Sequence, residues 1–152
     1  MLKFIDPSKS YLEAIINSIA DPIFVKDEEH RWVFFNTALC SFLGRSKEDL
    51  LNKTDYDFFS EKESQVFWEK DELVFKNTGE NINEEQITDA KGLTHTIVTK
   101  KMLYMDNEAK KYIVGIIRDI TEQKTAELKF KERISELERM NAELTTRLHT
   151  QG

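Results

Sequence analysis

The sequence has one cysteine, two prolines and five glycines among 152 residues. A single cysteine excludes a disulfide framework and a zinc site built on several thiolates. No internal repeat or low-complexity tract is visible, and no apolar run reaches the ~18–20 residues that span a bilayer. The first residues, Met1-Leu-Lys-Phe-Ile-Asp-Pro7, lack the apolar centre of a secretory signal. Positive charge is also short: 22 Lys+Arg stand against 28 Asp+Glu, a net charge of −6. Neither the part before Asp119 nor the part after it offers the basic stripe that a phosphate backbone requires, which disfavours nucleic acid. No Ser/His/Asp or Cys/His set, phosphate-cradling glycine loop or metal cluster stands out, so an enzyme is poorly supported. The expectation is a soluble, cytoplasmic protein.

What the chain does have is aromatic surface: ten Phe, four Tyr and two Trp, enough to oppose disorder. Its length fits one domain with an appendage. Asp6-Pro-Ser8 can open a helix, and Tyr11, Leu12, Ile15, Ile16 and Ile19 form an apolar stripe that Asp21-Pro22 stops. Residues 23–25 and 31–36 read as strands joined by a polar turn. Asn36 is placed to cap a helix over 37–43 that Gly44 ends, and Ser46 with Asp49 opens a short turn through Leu51. Thr54-Asp-Tyr-Asp57 is too polar for a core element and reads as a loop. A longer helix over 60–77 carries Val66, Phe67, Leu73 and Val74 at helical spacing. Three strands follow, over 80–88, 93–105 and 111–117, with short polar separators suited to antiparallel pairing. The expected fold is α+β: a five-stranded antiparallel sheet with flanking helices, then a long helix.

That last helix carries a heptad seam. With Ile134 at position a, Leu137 falls at d, Asn141 at a, Leu144 at d and Leu148 at a; Phe130 at d and Glu127 at a extend it backward. A buried Asn at a selects register in a parallel dimer, and Arg133 at g faces Glu138 at e of a partner. The seam is still running where the sequence ends, as in a fragment of a longer protein. Asp119-Ile-Thr-Glu122 marks the change from strand to helix, with Asp119 placed as cap and Glu122 reaching back to it.

Four segments together resemble the PAS (Per-Arnt-Sim) sensor domains of bacterial histidine kinases and related signalling proteins. They are Asp21-Pro-Ile-Phe-Val-Lys-Asp27, Phe35-Asn36 before a short helix ending in Gly44-Arg-Ser46, Leu50-Leu-Asn-Lys-Thr-Asp-Tyr-Asp57, and Val114-Gly-Ile-Ile-Arg-Asp-Ile-Thr-Glu122. The resemblance covers about residues 19–124. It implies sheet order 2-1-5-4-3, a pocket cupped by helices, and a signalling helix leading to an output domain that this sequence does not contain. It divides the chain into an N-terminal amphipathic helix over 1–20, a PAS domain over 21–119 and a parallel coiled-coil helix over 120–152, with Asp119, Thr121 and Glu122 as the signal junction.

The resemblance also allows cofactors to be tested. Haem-binding relatives place an axial His on the long helix, and residues 60–77 contain none; His30, His95 and His149 lie elsewhere. Light-oxygen-voltage flavoproteins need an Asn-Cys-Arg-Phe-Leu-Gln motif, where this chain has Thr54-Asp-Tyr-Asp-Phe-Phe59, and a Gln where it has Ile117. Asp55 at the Cys position excludes the flavin adduct, while non-covalent flavin, a small metabolite or no ligand all stay open. Cys40 reads as a small buried thiol. Aligned on the family, Ile113, Gly115 and Ile117 face the pocket, with Ile97 and Thr99 on the neighbouring strand; Val25, Leu39, Phe67 and Leu73 complete a mainly apolar cavity or simply the core. Asn36 and Asp57 are caps before they are contacts, and Trp68 and Gln86 are further contact candidates. The expected function is a sensory and dimerisation module of a signal-transduction protein, a histidine kinase in this reading, acting as a homodimer through its last helix. The alternative is an apo structural spacer with no small-molecule ligand.

Overall fold

A computed structural model of the chain describes residues 7–77 and 79–151. The expected helix start at Asp6 lies outside the described residues. Two compact units are present, Met1–Asp119 and Ile120–Gly152. In the first, α1 (Pro7–Asn17) leads to β1 (Ile23–Asp27) and β2 (Trp32–Phe35), then α2 (Thr37–Leu43), α3 (Lys47–Leu50) and α4 (Glu61–Asn77), and finally β3 (Glu80–Thr88), β4 (Thr94–Met105) and β5 (Lys111–Asp119). The second unit is one helix, α5 (Thr121–Thr150). The five strands pair antiparallel, as the short polar connections predict, in the order β2-β1-β5-β4-β3 that the PAS resemblance implies.

Local chemistry sets the element ends. Asn36 caps α2 by accepting from the Leu39 amide, and Gly44 closes that helix at φ 68°. The same Asn36 side chain is fully buried: it accepts from Ile23 N and donates to the carbonyls of Ile16, Ile19 and Asp21. One side chain thus ties the end of α1, the start of β1 and the start of α2. Ser46 accepts from Asp49 N to open α3. The helices α2, α3 and α4 and the inner face of the sheet enclose a core that includes Phe24, Phe35, Leu39, Leu43, Leu50, Phe67, Ile97, Ile113 and Ile117. Burying each large apolar side chain contributes about 1.5–3 kcal/mol before entropy is charged against it. The outer face carries Val25, Val33, Phe34, Tyr104, Tyr112 and Val114. With Leu12 and Ile16 of α1 they line an open groove of about 520 Å³.

Two expectations about the ends of elements need correction. The stretch 54–57 is a 3-10 turn over Asp55–Asp57, and Asp55 inside it is fully buried. It is not a solvated loop, because its carboxylate has an ammonium partner indoors. Ile120 rather than Asp119 occupies the cap position of α5, since β5 continues through Asp119.

Candidate functional site: an ionic network inside the domain

The position where a cupped pocket is expected holds charge. Strand alternation sends Phe24 and Lys26 of β1, Ile97, Thr99 and Lys101 of β4, and Glu85 and Ile87 of β3 to the inner face. On α4 the buried positions are Ser64, Phe67, Asp71, Val74 and Phe75. The spacing is helical, and it puts Asp71 in the middle of an otherwise mainly apolar stripe. Asp55 and Asp71 have no exposed surface, and Lys26 and Lys101 retain 2% each.

These groups are connected. Lys26 Nζ donates to Asp55 Oδ2 at 2.7 Å and to Asp71 Oδ2 at 2.8 Å. Lys101 Nζ lies 2.8 Å from Asp71 Oδ1 and 3.5 Å from Glu85 Oε1. Trp32 Nε1 donates to Asp55 Oδ1 at 3.1 Å, and Thr99 Oγ1 donates to Glu85 Oε2 at 3.2 Å. Lys26 Nζ also lies 5.1 Å from the centre of the Trp32 ring, within cation–π range. At the rim, His30 Nδ1 is 3.4 Å from Asp71 Oδ2 while Nε2 is 2.8 Å from Glu72 Oε1. The His30 ring stacks on Trp68 at 3.8 Å between centroids and 5° between planes. His30 is held there from a left-handed turn position, φ 60°, a conformation with strain for a residue other than glycine.

Burial works against every charge in this set, and the partners decide the outcome. Burial would lower the Lys26 ammonium, but Asp55 and Asp71 outweigh it and hold it charged, well above the ordinary lysine value. Burial would raise Asp71; Lys26, Lys101 and the nearby His30 outweigh it and keep that carboxyl far below the usual range. Asp55 goes the other way: burial raises it, Lys26 compensates only in part, and the neighbouring Asp71 adds to the rise. Burial lowers His30, yet the adjacent Asp71 carboxylate and the hydrogen bond to Glu72 bring it above its ordinary value. Two lysines thus face three buried carboxyl groups, with Asp55 easier to protonate than Asp71 and His30 at the rim.

The space left is small. A cavity of about 20 Å³ remains between Phe24, Lys26, Trp32, Glu85, Thr99 and Ile117, enough for one water molecule, for which ~10–15 Å³ suffices. A flavin ring or a metabolite does not fit this interior unless the network opens. Among the described residues no group of three or more His, Cys, Asp or Glu is arranged to hold a metal.

Of the residues expected at the pocket, Phe67, Ile97, Thr99 and Ile117 line this cavity. Leu39 and Ile113 are buried in the core around it. Gly115 is inward, but the Phe24 ring occupies the space a side chain would fill. Asn36 is the buried tie already described, Asp57 is exposed and caps the 3-10 turn through the Thr54 amide, and Trp68 is the stacking partner of His30. Three expectations are corrected. Val25 pairs with Val114 and so shares its outer face, while Phe24 pairs with Gly115 on the inner one. Gln86 lies between inward Glu85 and Ile87 and faces solvent. Leu73 is 44% exposed, because the stripe of α4 runs through Asp71 and Val74 instead. Sequence reasoning missed Lys26, Asp55, Asp71, Glu85 and Lys101, treating charges as solvated surface. Their signal was parity: Lys101 is in step with Ile97 and Thr99, and Glu85 pairs with Ile97 across the hairpin.

The strand order, with α2, α3 and α4 on the inner face, and the long exit helix form a recognisable arrangement, and the family described as the PAS fold matches residues 10–120. The chain belongs to the PAS family. Like other PAS domains it is a regulatory sensor module. A Sinorhizobium fredii protein, y4lL, is 40% identical over 119 residues, covering 76% of this chain and 14% of its own length. The aerobic respiration control sensor protein ArcB of Escherichia coli is 25% identical over 120 residues, covering 78% of this chain and 15% of its own length. The chain therefore spans only about one-seventh of these relatives. A PAS domain from a two-component sensor histidine kinase superposes with a TM-score of 0.63 at 15% identity, over 74% of this chain and 96% of that one; it shares the fold.

Proposed function

We propose that this PAS domain is the sensory and dimerisation module of a longer, cytoplasmic signal-transduction protein, a histidine kinase in our reading, and that α5 pairs in parallel with a second copy to carry the signal outward. The supporting observation is the seam. α5 runs for 30 residues, none of them buried, while Phe130, Ile134, Leu137, Leu144 and Leu148 stand exposed at heptad spacing with Asn141 among them. An unpaired helix would leave this apolar stripe in water. The signal junction would be Asp119, Thr121 and Glu122. A free thiol at Cys40 is in keeping with a reducing compartment. The closed interior favours an input from a neighbouring domain or partner over a preformed ligand pocket, which moves the reading toward the apo alternative without removing the sensory role. A partner can shift the module only by preferring one of its states.

Sedimentation equilibrium tests the seam. The full chain should be a dimer, while Asn141→Lys, or a chain ending before Glu127, should be monomeric at micromolar concentration. A dimer unchanged by both would move association into the globular unit and end this reading of α5. Native mass spectrometry addresses the interior, where added mass on the purified protein would reinstate a ligand.

A further inference from the structure

His95, on β4, is gripped at both ends of its ring. Nε2 lies 2.9 Å from Asp89 Oδ2, in the turn between β3 and β4, and Nδ1 lies 2.9 Å from Asp119 Oδ2, at the end of β5. From α2 the Phe42 ring approaches to 4.8 Å between centroids, and among the described residues the charged groups acting on the imidazole are these two carboxylates. A neutral imidazole has one N–H, so it can donate to one carboxylate and must turn a lone pair toward the other; the imidazolium donates to both. The bridge as built therefore requires the proton.

The two ends are not equivalent. Asp89 is a fixed post, because its Oδ1 accepts from the amides of Lys91 at 2.9 Å and Leu93 at 3.0 Å. Its side chain is 10% exposed against 38% for Asp119. When one contact is lost, the more exposed carboxylate is the cheaper one to rehydrate. Asp119 is also the last residue of β5, two positions before α5 begins at Thr121.

We propose that His95 is a proton-dependent latch on the strand–helix junction: the doubly donating imidazolium ties Asp119 to the β3–β4 turn, and loss of the proton releases the Asp119 end. The proposal deepens the function given above and rests on it only in taking Asp119 to Glu122 as the route to α5. Hydrogen bonds to the Asp89 and Asp119 carboxylates outweigh burial and raise this histidine above its ordinary value.

Nitrogen-15 NMR of the imidazole and of the junction amides in the 152-residue chain tests the latch between about pH 5.5 and pH 8.5. Both ring nitrogens should be protonated at the acid end, with a midpoint above the ordinary ~6.5. Asp119→Asn should lower that midpoint by about one pH unit. The Thr121 amide should titrate with the His95 midpoint in the wild type and stay flat in His95→Gln. A midpoint at or below the ordinary value, or a Thr121 amide blind to it, overturns the latch; Asp119→Asn alone decides the matter if His95→Gln fails to fold. Should Thr121 follow His95 while sedimentation finds α5 unpaired, the latch stands and only the dimeric lever is lost.

Discussion

Asp71 is the residue on which the interior balances. It accepts from Lys26 on one oxygen and faces Lys101 on the other, with His30 at the rim. Removing one partner of a buried ion pair leaves an uncompensated charge in a medium that cannot solvate it. Asp71→Asn should therefore destabilise the domain by about 3–5 kcal/mol in urea titration, far more than the loss of an exposed ion pair such as Arg133–Glu136. The companion variant Lys26→Met with Asp71→Leu and Asp55→Asn removes charge of both signs and should recover much of that loss. If Asp71→Asn unfolds at the wild-type midpoint, the network is not holding charge as described.

At the scale of elements, the outline was legible because it rests on period and punctuation. The limits of α2 followed from Asn36 and Gly44, and the β3–β4 hairpin from Asp89 to Gly92, each a backbone requirement visible in one or two residues. Facing was harder. The three residues Ile23-Phe-Val25 are all apolar, so their alternation has no marker, and Val25 was assigned the side that belongs to Phe24 and Lys26. The ionic residues were illegible for another reason. Nothing local distinguishes a charge that meets solvent from one that meets a counter-charge 45 positions away, as Lys26 meets Asp71. β5 shows the same coupling in apolar form, since Gly115 is small because the Phe24 ring lies over it. Gly115→Ala should cost about 1–3 kcal/mol by thermal or urea denaturation, and Phe24→Leu in the same chain should restore part of it. Additive losses would mean that the ring is not what fills the space.

For the whole molecule the titrating groups predict a stability profile. The histidines His30 and His95 are both raised in the folded state. A base whose folded value exceeds its unfolded one contributes fully below about pH 6.5 and is lost as pH rises through the folded value. Asp71 is depressed, so its contribution is present above the ordinary carboxylate range and is lost on acidification, while the raised Asp55 acts in the opposite sense. Denaturant midpoints should therefore peak in mildly acidic buffer, decline as pH rises through the raised values of the two histidines, and decline less in a His30→Gln, His95→Gln chain. A midpoint that climbs through neutrality would contradict both assignments.

The interior network also limits how this protein can be recombined. Its five charged members arrive on β1, the 3-10 turn, α4, β3 and β4, so no contiguous fragment of the globular unit is electrically complete until residues 26–101 are all present. A chimera that crossed over inside that interval, joining this sheet to the helices of a relative with an uncharged centre, would inherit orphan ammoniums and misfold. Crossovers that keep the interval whole would transplant it as a single inherited cassette.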